Sequence, residues 1–327
     1  MAYKQLKETK LPPLKNKNGE VNHGAIRKKV YVEINGIKQG MIIESCDVQN
    51  PVLLFIHGGP GIPAYPLIQK SKLHLEKYFT TCYWDQRGTG MSYSDIGDNV
   101  TCVVEQLVED LLAVTNFLRG IFHHEKIFLF GHSWGTLLEA FAVARKPELF
   151  HAYIASGQIG NQIESEKGTL AYLKRVAVKK RDKQAVKRMQ PVHINKNYYK
   201  NKQYANVLWK YLKEYGGSMF HRNYSYAKLV LAYITCDAYD MREKINIARG
   251  MKNASLLLQH LSEIDLTKEI PALDIPVYIM QGAYDYQTTL EQANAFFNQL
   301  QAPKKISMPL RIPHTRLSLK RQDGSRK

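Results

Sequence analysis

The chain has 327 residues, a length that suits one large domain with or without a smaller inserted one. Hydrophobic residues make up 44% of the sequence and aromatic residues 10%, which excludes a chain that is disordered throughout. The formal net charge of +17 at first favours a nucleic-acid-binding protein. Two segments carry that charge, however. Residues 167–213 contribute +13 and residues 309–327 contribute +5, so the rest of the chain is nearly neutral.

The sequence shows no targeting segment and no membrane span. Its apolar runs stay far below the ~20 residues that a membrane helix needs, and the N-terminal residues lack the apolar stretch of a secretory signal. Four widely spaced cysteines without a CxxC pair indicate free thiols in a reducing compartment: Cys46, Cys82, Cys102 and Cys236. We therefore expect a cytoplasmic protein without disulfides and without a metal site.

Strand and helix patterns alternate over the first half of the chain. Residues 1–25 are polar and are predicted to form a loose lead-in. Asn35-Gly36 separates the apolar runs 30–34 and 40–43 and predicts a hairpin, because both turn residues tolerate positive φ. Further strands are predicted at 52–56, 79–84, 126–130 and 152–155, with helical spacing over 103–119 and 135–145.

The pattern changes between residues 158 and 268, where the sequence is helical, basic and rich in tyrosine. A strand-type run returns at 276–280. Alternating strands and helices on both sides of a helical block predict an α/β fold with a mostly parallel central sheet and an inserted helical cap. The expected domains are a core of residues 1–157 and 269–327 and a cap of residues 158–268.

A five-residue motif, Gly131-His132-Ser133-Trp134-Gly135, follows the predicted strand 126–130 and precedes a helix. This context is typical of a nucleophile elbow, G-x-S-x-G, in which glycines allow a sharp turn and close packing of the helix. The serine then lies at a helix N-terminus, which favours developing negative charge. We predict that Ser133 is a nucleophile and not part of an ordinary Gly-Ser turn.

A glycine-rich segment, His57-Gly58-Gly59-Pro60-Gly61, comes directly after strand 52–56. Its backbone N–H groups are not shielded by side chains, which is typical of a loop that forms an oxyanion hole. We expect the backbone N–H groups of Gly59 and Trp134 to be the donors, and His57 to be structural.

A nucleophilic serine also needs a base and an acid that orients the base, and in this type of fold they follow the serine in the order acid, then histidine. Asp285 follows strand 276–280 in a strand-end loop and is the predicted acid. Asp265 and Asp274 precede that strand and would lie at the other end of the sheet. Residues 85–92 lack the full G-x-G-x-x-G of a phosphate-binding loop and are predicted to brace the floor of the site.

The segments HGGPG (57–61), DQRGTGMS (85–92) and GHSWG (131–135) together resemble the proline iminopeptidase family of α/β-hydrolases. GAYDYQT (282–288) resembles the acid loop of that family. The resemblance covers residues 28–158 and 270–305, whereas the cap is only loosely similar. It implies an α/β-hydrolase fold, Ser133 as nucleophile, Asp285 as acid, and no cofactor. It also implies release of an N-terminal proline or another residue from short peptides through an acyl-enzyme, although some relatives with these motifs are esterases or amidases.

The C-terminal segment departs from the family pattern. The family's catalytic histidine is expected near the end, within Ser-Ala-His-(Ser/Thr)-Pro followed by acids. Residues 309–321 contain one histidine, His314, without that pattern, and they are strongly basic. His314 is therefore the candidate base of this chain.

A shifted reading frame would explain the departure. When codons for residues 309–321 are read one nucleotide earlier, the genetic code permits Ala-Phe-Glu-Asn-Ser-Ala-His-Thr-Pro-Phe-Phe-Glu-Glu. We hypothesise a frameshift near residues 305–308, with the family's histidine belonging where this chain has Thr315. Resequencing of the gene tests the hypothesis, and an intact frame refutes it. Without a base Ser133 is a weak nucleophile, so a catalytically impaired hydrolase-fold protein stays an alternative.

The basic residues of the cap have helix-compatible spacing over 174–188, and we interpret them as a solvated helical face rather than a nucleic-acid site. A preference for acidic peptides or an anionic surface, which salt would weaken, is the alternative. The resemblance implies cap acids that bind the substrate's α-ammonium group, and the unranked candidates are Glu164, Glu166, Glu214, Asp237 and Asp240. The sequence thus predicts a serine hydrolase of small peptides, with a carboxylesterase or amidase as the alternative. It defines neither the substrate side chain nor the oligomeric state.

Overall fold

The computed structural model describes residues 4–14, 24–71, 73–94, 103–217 and 226–310. Within these ranges one sheet contains nine strands. In chain order they are β1 (Gln5–Lys10), β2 (Ile26–Ile34), β3 (Ile37–Ser45), β4 (Val52–Ile56), β5 (Thr80–Trp84), β6 (Ile127–His132), β7 (Phe150–Ser156), β8 (Val277–Gly282) and β9 (Lys305–Leu310).

The sheet is antiparallel at one edge and parallel over the rest. Its strand order is β1-β2-β3-β5-β4-β6-β7-β8-β9. The strands β1, β2, β3 and β5 pair antiparallel, and every pair from β5 to β9 is parallel. Because parallel strands end at the same edge, the loops after β4, β5, β6 and β8 are brought together there.

Eleven α-helices are described: α1 (Tyr65–Gln69), α2 (Val104–Phe122), α3 (Trp134–Arg145), α4 (Gln162–Lys179), α5 (Lys183–Met189), α6 (Lys202–Tyr215), α7 (Tyr226–Ile234), α8 (Met241–Asn253), α9 (Ser255–Glu263), α10 (Leu266–Glu269) and α11 (Leu290–Gln299). Side chains of β4 alternate between two faces of the sheet. Val52, Leu54 and Ile56 join the cluster that contains α2 and α3, whereas Leu53 and Phe55 join the cluster that contains α1. Helices therefore cover both faces, as an α/β fold requires.

The helices α4 to α10 lie between β7 and β8 in the chain. Three of them, α4, α5 and α6, share a third apolar cluster that includes Leu173, Met189, Tyr204 and Tyr211. This block falls within the range that the sequence assigns to a cap. The boundaries at residues 158 and 268 stay a prediction.

The expectation of a loose lead-in is wrong for β1, which pairs with β2 over five residue pairs. All six residues of β1 are exposed and five of them are polar or charged, so no apolar alternation marks the strand. Its backbone hydrogen bonds to β2 are what order it. Three further elements outside the cap range, α1, α11 and β9, were not predicted from the sequence. The side chains of β9 are half-buried or exposed, as expected for a strand at the edge of the sheet.

Candidate active site

Ser133 lies in a strained turn between β6 and α3. Its backbone has φ 50° and ψ −118°, a conformation that residues with a Cβ rarely adopt. The Ser133 N–H donates to the carbonyl oxygen of Ser156, the last residue of β7, at 2.8 Å. The serine side chain is half-buried, so it can meet a substrate at the carboxyl edge of the sheet.

The two glycines of the elbow are required by close contacts. A Cβ on Gly135 would lie 2.2 Å from the carbonyl oxygen of Ile56 in β4, and one on Gly131 would lie 2.9 Å from the Cα of Thr136. Both distances are too short for real atoms. The sharp turn therefore depends on glycine at both positions, which is the physical content of the G-x-S-x-G pattern.

The glycine-rich loop after β4 lies directly beside Ser133. A Cβ on Gly58 would be 3.2 Å from the Cβ of Ser133, and Gly59 has φ +121°, which favours glycine. No hydrogen bond in the described part of the chain uses the Gly59 N–H. Trp134 is the first residue of α3, so its N–H has no partner inside the helix. These two N–H groups can therefore serve an oxyanion, as the sequence predicts.

Gln86 connects the elbow to the glycine-rich loop. Its side-chain carbonyl accepts from the Trp134 indole N–H at 3.0 Å, and its side-chain amide donates to the His57 carbonyl oxygen at 2.8 Å. The residue is buried. Gln86 lies within the 85–92 segment, but the sequence did not indicate this role. Its hydrogen bonds connect three segments that are distant in the chain.

Neither histidine near Ser133 is positioned as its base. His57 Nε2 accepts from the Gln86 backbone N–H at 3.1 Å, so its Nδ1–H donates to the Gly58 carbonyl oxygen at 2.8 Å and both ring nitrogens are used. Burial lowers the pKa of His57 and of His132 to about 4, so both are neutral at pH 7. No side chain of the described residues makes a hydrogen bond to Ser133 Oγ.

Asp285 lies in the loop after β8 and is 3% exposed. Its Oδ1 accepts from the backbone N–H groups of Gln287 at 2.8 Å and Thr288 at 3.1 Å, and its Oδ2 accepts from the Thr288 hydroxyl at 3.0 Å. These donors stabilise a carboxylate and fix its orientation. Such an acid is suited to hold a histidine in one orientation.

The sheet brings the serine and the acid loop to one edge. The strand β7 lies between β6, which leads to Ser133, and β8, which leads to Asp285. With neighbouring strands about 5 Å apart, the ends of β6 and β8 are about 10 Å apart, a gap that an imidazole between two side chains can span. The carbonyl oxygen of Leu310, the last residue of β9, accepts from the Ala283 N–H at 3.0 Å. The chain therefore continues beyond β9 from a point two residues away from Asp285. His314 lies outside the described residues, and so does Thr315, the position to which the frameshift hypothesis assigns the family's histidine.

Residues 73–216 match the family described as "Hydrolase_4: Serine aminopeptidase, S33". The probable aminopeptidase YbaC of Bacillus subtilis (strain 168) is 27% identical over 283 residues, which cover 86% of this chain and 87% of that protein. A proline iminopeptidase of Thermoplasma volcanium is 25% identical over 262 residues, which cover 79% of this chain and 81% of that protein.

Solved structures share the architecture. The proline iminopeptidase-related protein from Thermus thermophilus aligns with a TM-score of 0.58 at 20% identity, covering 86% of this chain and 89% of that one. The proline iminopeptidase of Mycobacterium smegmatis aligns with a TM-score of 0.58 at 15% identity, covering 88% and 91%. The chain has the α/β-hydrolase fold and is similar to the proline iminopeptidases. The expected fold is confirmed, and the relatives support a hydrolase of the aminopeptidase kind.

The loop of residues 85–92 has an internal hydrogen bond and a second one to the segment between helices α7 and α8. Asp85 Oδ2 accepts from the Met91 N–H at 2.8 Å, and Asp85 Oδ1 accepts from the Tyr239 hydroxyl at 2.7 Å. Burial raises the pKa of Asp85 to about 7, despite these donors and the charge of Lys29, which lower it. Arg87 makes a bidentate ion pair with Asp110 of α2 at 2.7 and 3.0 Å.

Four of the five candidate cap acids of the hydrolase already have structural partners. Glu164 pairs with Lys167 at 2.7 Å, Glu214 approaches Lys210 at 4.0 Å, Asp237 pairs with Arg27 at 3.2 Å, and Asp240 caps α8. Glu166 differs because it is buried, and its hydrogen-bond donors among the described residues are neutral: the Gln162 amide at 2.8 Å and the Tyr204 hydroxyl. Burial raises its pKa. Gln162 also reaches the Gln287 carbonyl oxygen at 3.4 Å, so Glu166 is two contacts away from the acid loop.

The described residues contain no group of three or more His, Cys, Asp and Glu side chains that could hold a metal ion. Among the helices in these ranges, none has both the length and the apolar character that crossing a membrane requires.

Proposed function

We propose that this α/β-hydrolase is a serine hydrolase that removes an N-terminal proline or another residue from small peptides through an acyl-enzyme. The observation that carries the proposal is the turn at Ser133. Ser133 has φ 50° at the junction of β6 and α3, and the adjacent Gly59 N–H donates to no other group among the described residues. The same geometry supports Ser133 as a nucleophile and the Gly59 and Trp134 N–H groups as oxyanion donors.

The proposed reaction uses these groups as follows. Ser133 Oγ attacks the carbonyl carbon of the first peptide bond while a histidine takes the hydroxyl proton. The carbonyl oxygen becomes an oxyanion that accepts hydrogen bonds from the N–H groups of Gly59 and Trp134. The C–N bond then breaks, the histidine returns the proton to the leaving amine, and an ester to Ser133 remains. Water hydrolyses this ester by the same steps, with Asp285 orienting the histidine throughout.

We propose His314 as the base of this chain. The four Cα-to-Cα steps from Leu310 to His314 can span about 13 Å, enough to return an imidazole to the edge where Asp285 lies. The frameshift hypothesis places the histidine one position later, which the same chain length also permits. This chain is catalytically competent if His314 is the base, and it is impaired if the histidine has been lost through a frameshift.

We propose Glu166 as the cap acid that binds the substrate's free α-amine. The buried carboxylate lacks a cation among the described residues, so an ammonium group would complete its pairing. The relatives named as aminopeptidases and proline iminopeptidases are consistent with a substrate that carries such an amine.

The test is a panel of prolyl and other aminoacyl amides, the same amides with a blocked N-terminus, and short acyl esters. We expect turnover of the free-amine amides that is lost in Ser133→Ala. In Glu166→Gln we expect KM to rise for free-amine substrates and stay unchanged for esters, whereas the matched Glu164→Gln leaves both unchanged. Turnover confined to esters would favour the alternative, a carboxylesterase of the same fold. Full activity in Ser133→Ala would overturn the proposal.

A further inference from the structure

Helix α8 contacts the glycine-rich loop and the 85–92 loop at the same point, through a residue without a side chain. The carbonyl oxygen of Gly250 would lie 3.0 Å from a Cβ placed on Gly61. On its other side, a Cβ on Gly250 would lie 2.6 Å from Thr89 Oγ1 and 2.7 Å from the Gly88 carbonyl oxygen. The backbone of α8 therefore packs directly on both loops.

Glycine inside a helix needs a physical reason, because it costs roughly 0.5–1 kcal/mol relative to alanine. Gly250 is buried in the last turns of α8, where its neighbours leave no room for a methyl group. Two other helical glycines show the contrast. Gly120 has nothing within 4 Å of its Cβ position, and Gly168 has one atom at 3.8 Å. Close approach to the loops therefore accounts for glycine at position 250.

The two loops that α8 contacts are also bonded to each other. Thr89 Oγ1 donates to the Gly61 carbonyl oxygen at 2.8 Å. Gly61 is two residues after Gly59, the proposed oxyanion donor. A displacement of Thr89 or Gly61 would therefore move the Gly59 N–H, and an oxyanion donor shifted by about 1 Å loses much of its effect.

The start of α8 is fixed to the core, so the helix can act as a rigid support. Glu243 in its first turn accepts from Lys29 at 2.7 Å and from the Tyr31 hydroxyl, and both of these residues belong to β2. Asp240 and Glu243 form a reciprocal capping box at the helix N-terminus. The helix is thus attached to the sheet at one end and rests on the loops near the other.

We propose that Gly250 is a positioning residue that holds the oxyanion loop against the 85–92 loop, so that helix α8 sets the place of the Gly59 N–H. The consequence for catalysis rests on the proposed serine-hydrolase function. The mechanical part, that α8 restrains residues 57–62, does not.

The experiment compares Gly250→Ala with Gly168→Ala, a matched change in a cap helix that has room for the methyl group. Amide hydrogen exchange is followed by mass spectrometry in the peptide that contains residues 57–62, and kcat and KM are measured with a substrate that the wild-type protein hydrolyses. For Gly250→Ala we expect exchange in that peptide to rise about tenfold or more. We expect kcat to fall about 10- to 100-fold with KM changed by less than about threefold. Gly168→Ala leaves all three quantities at wild-type values.

A second variant tests the proposal if Gly250→Ala does not fold. Thr89→Val keeps the side-chain volume but removes the hydrogen bond to Gly61, and we expect a smaller rise of exchange in the same peptide. Wild-type exchange over residues 57–62 in folded Gly250→Ala overturns the proposal, as does an equal rise in Gly168→Ala. Raised exchange with unchanged kcat also overturns the catalytic part. A wild-type protein without any hydrolase activity contradicts the proposed function and leaves the exchange measurement to decide the role of α8.

Discussion

At the residue scale, the predictable parts of the site are those that follow from one local segment. The strained turn at Ser133 could be predicted because it requires Gly131 and Gly135 within two residues of the serine, and those contacts leave a sequence pattern. Gln86 and Gly250 could not be identified in the same way. Their roles depend on loops and helices that meet only in the folded chain, and an isolated glutamine or glycine in a sequence indicates no particular contact.

Asp85 is expected to make the stability of the protein depend on pH. Burial raises its pKa to about 7 in the folded protein, well above the ordinary value of about 4 in an unfolded chain. Between about pH 4 and pH 7 the folded protein keeps a proton that the unfolded chain has released, so unfolding releases that proton. The contribution of Asp85 to the free energy of unfolding is therefore fully present below about pH 4 and is lost as the pH rises through about 7.

Asp85→Asn removes this titration because an amide does not ionise. The amide also resembles the protonated acid in shape, so the packing is kept. We expect the stability of the wild-type protein, measured by urea unfolding, to decline relative to that of Asp85→Asn between pH 4 and pH 8. Asp274→Asn changes an exposed aspartate and serves as the control. Parallel stability curves for the wild-type protein and Asp85→Asn would contradict the assignment.

At the scale of elements, apolar patterning determines what can be predicted. The strand β4 is buried at all five positions and reads as a continuous apolar run, so its prediction at 52–56 is confirmed. The strands β1 and β9 are at the two edges of the sheet. No apolar alternation marks β1, and although Ile306, Met308 and Leu310 alternate with other residues in β9, Ile306 and Met308 are exposed. Their order comes from backbone pairing with β2 and β8, which no local pattern reports.

The attachment of α8 to β2 is expected to be important for stability. The ion pair of Lys29 with Glu243 is buried, with side chains that are 10% and 7% exposed. Lys29→Met leaves the Glu243 carboxylate buried without its cation, which typically costs about 3–5 kcal/mol. We expect a loss of that order in the free energy of unfolding, measured by urea denaturation.

The matched control for this pair is the ion pair of Arg145 with Glu105, whose side chains are 33% and 67% exposed. Glu105→Gln should cost about 0–1 kcal/mol, because exposed pairs gain little in water. Equal losses in Lys29→Met and Glu105→Gln would show that the attachment of α8 does not depend on the buried pair.

At the scale of the whole molecule, the charge of +17 is a property of two segments and not of the fold. The cationic residues of the segment 167–213 are mostly exposed on α4, α5 and α6, whose inner faces share an apolar cluster. This arrangement fits the interpretation of a solvated surface. The other basic segment, 309–327, lies almost entirely beyond the described residues and includes the candidate base.

The identity of the base is therefore a whole-chain question, and His314→Ala addresses it. If His314 takes the proton of Ser133, we expect kcat to fall by several orders of magnitude, as loss of a triad member does. Unchanged turnover in His314→Ala would exclude that role. In that case, a chain with the restored reading frame should gain activity by several orders of magnitude. Resequencing of the gene should then find the missing or added nucleotide.

The most direct test of the central claim is covalent labelling with a serine-reactive fluorophosphonate, followed by peptide mapping of the adduct. We predict one adduct, on Ser133, that is absent in Ser133→Ala and does not form on the buried Ser156 at the adjacent strand end. An adduct on another serine, or no adduct in a folded protein shown by resequencing to carry its intact histidine, would contradict the assignment of Ser133 as the nucleophile.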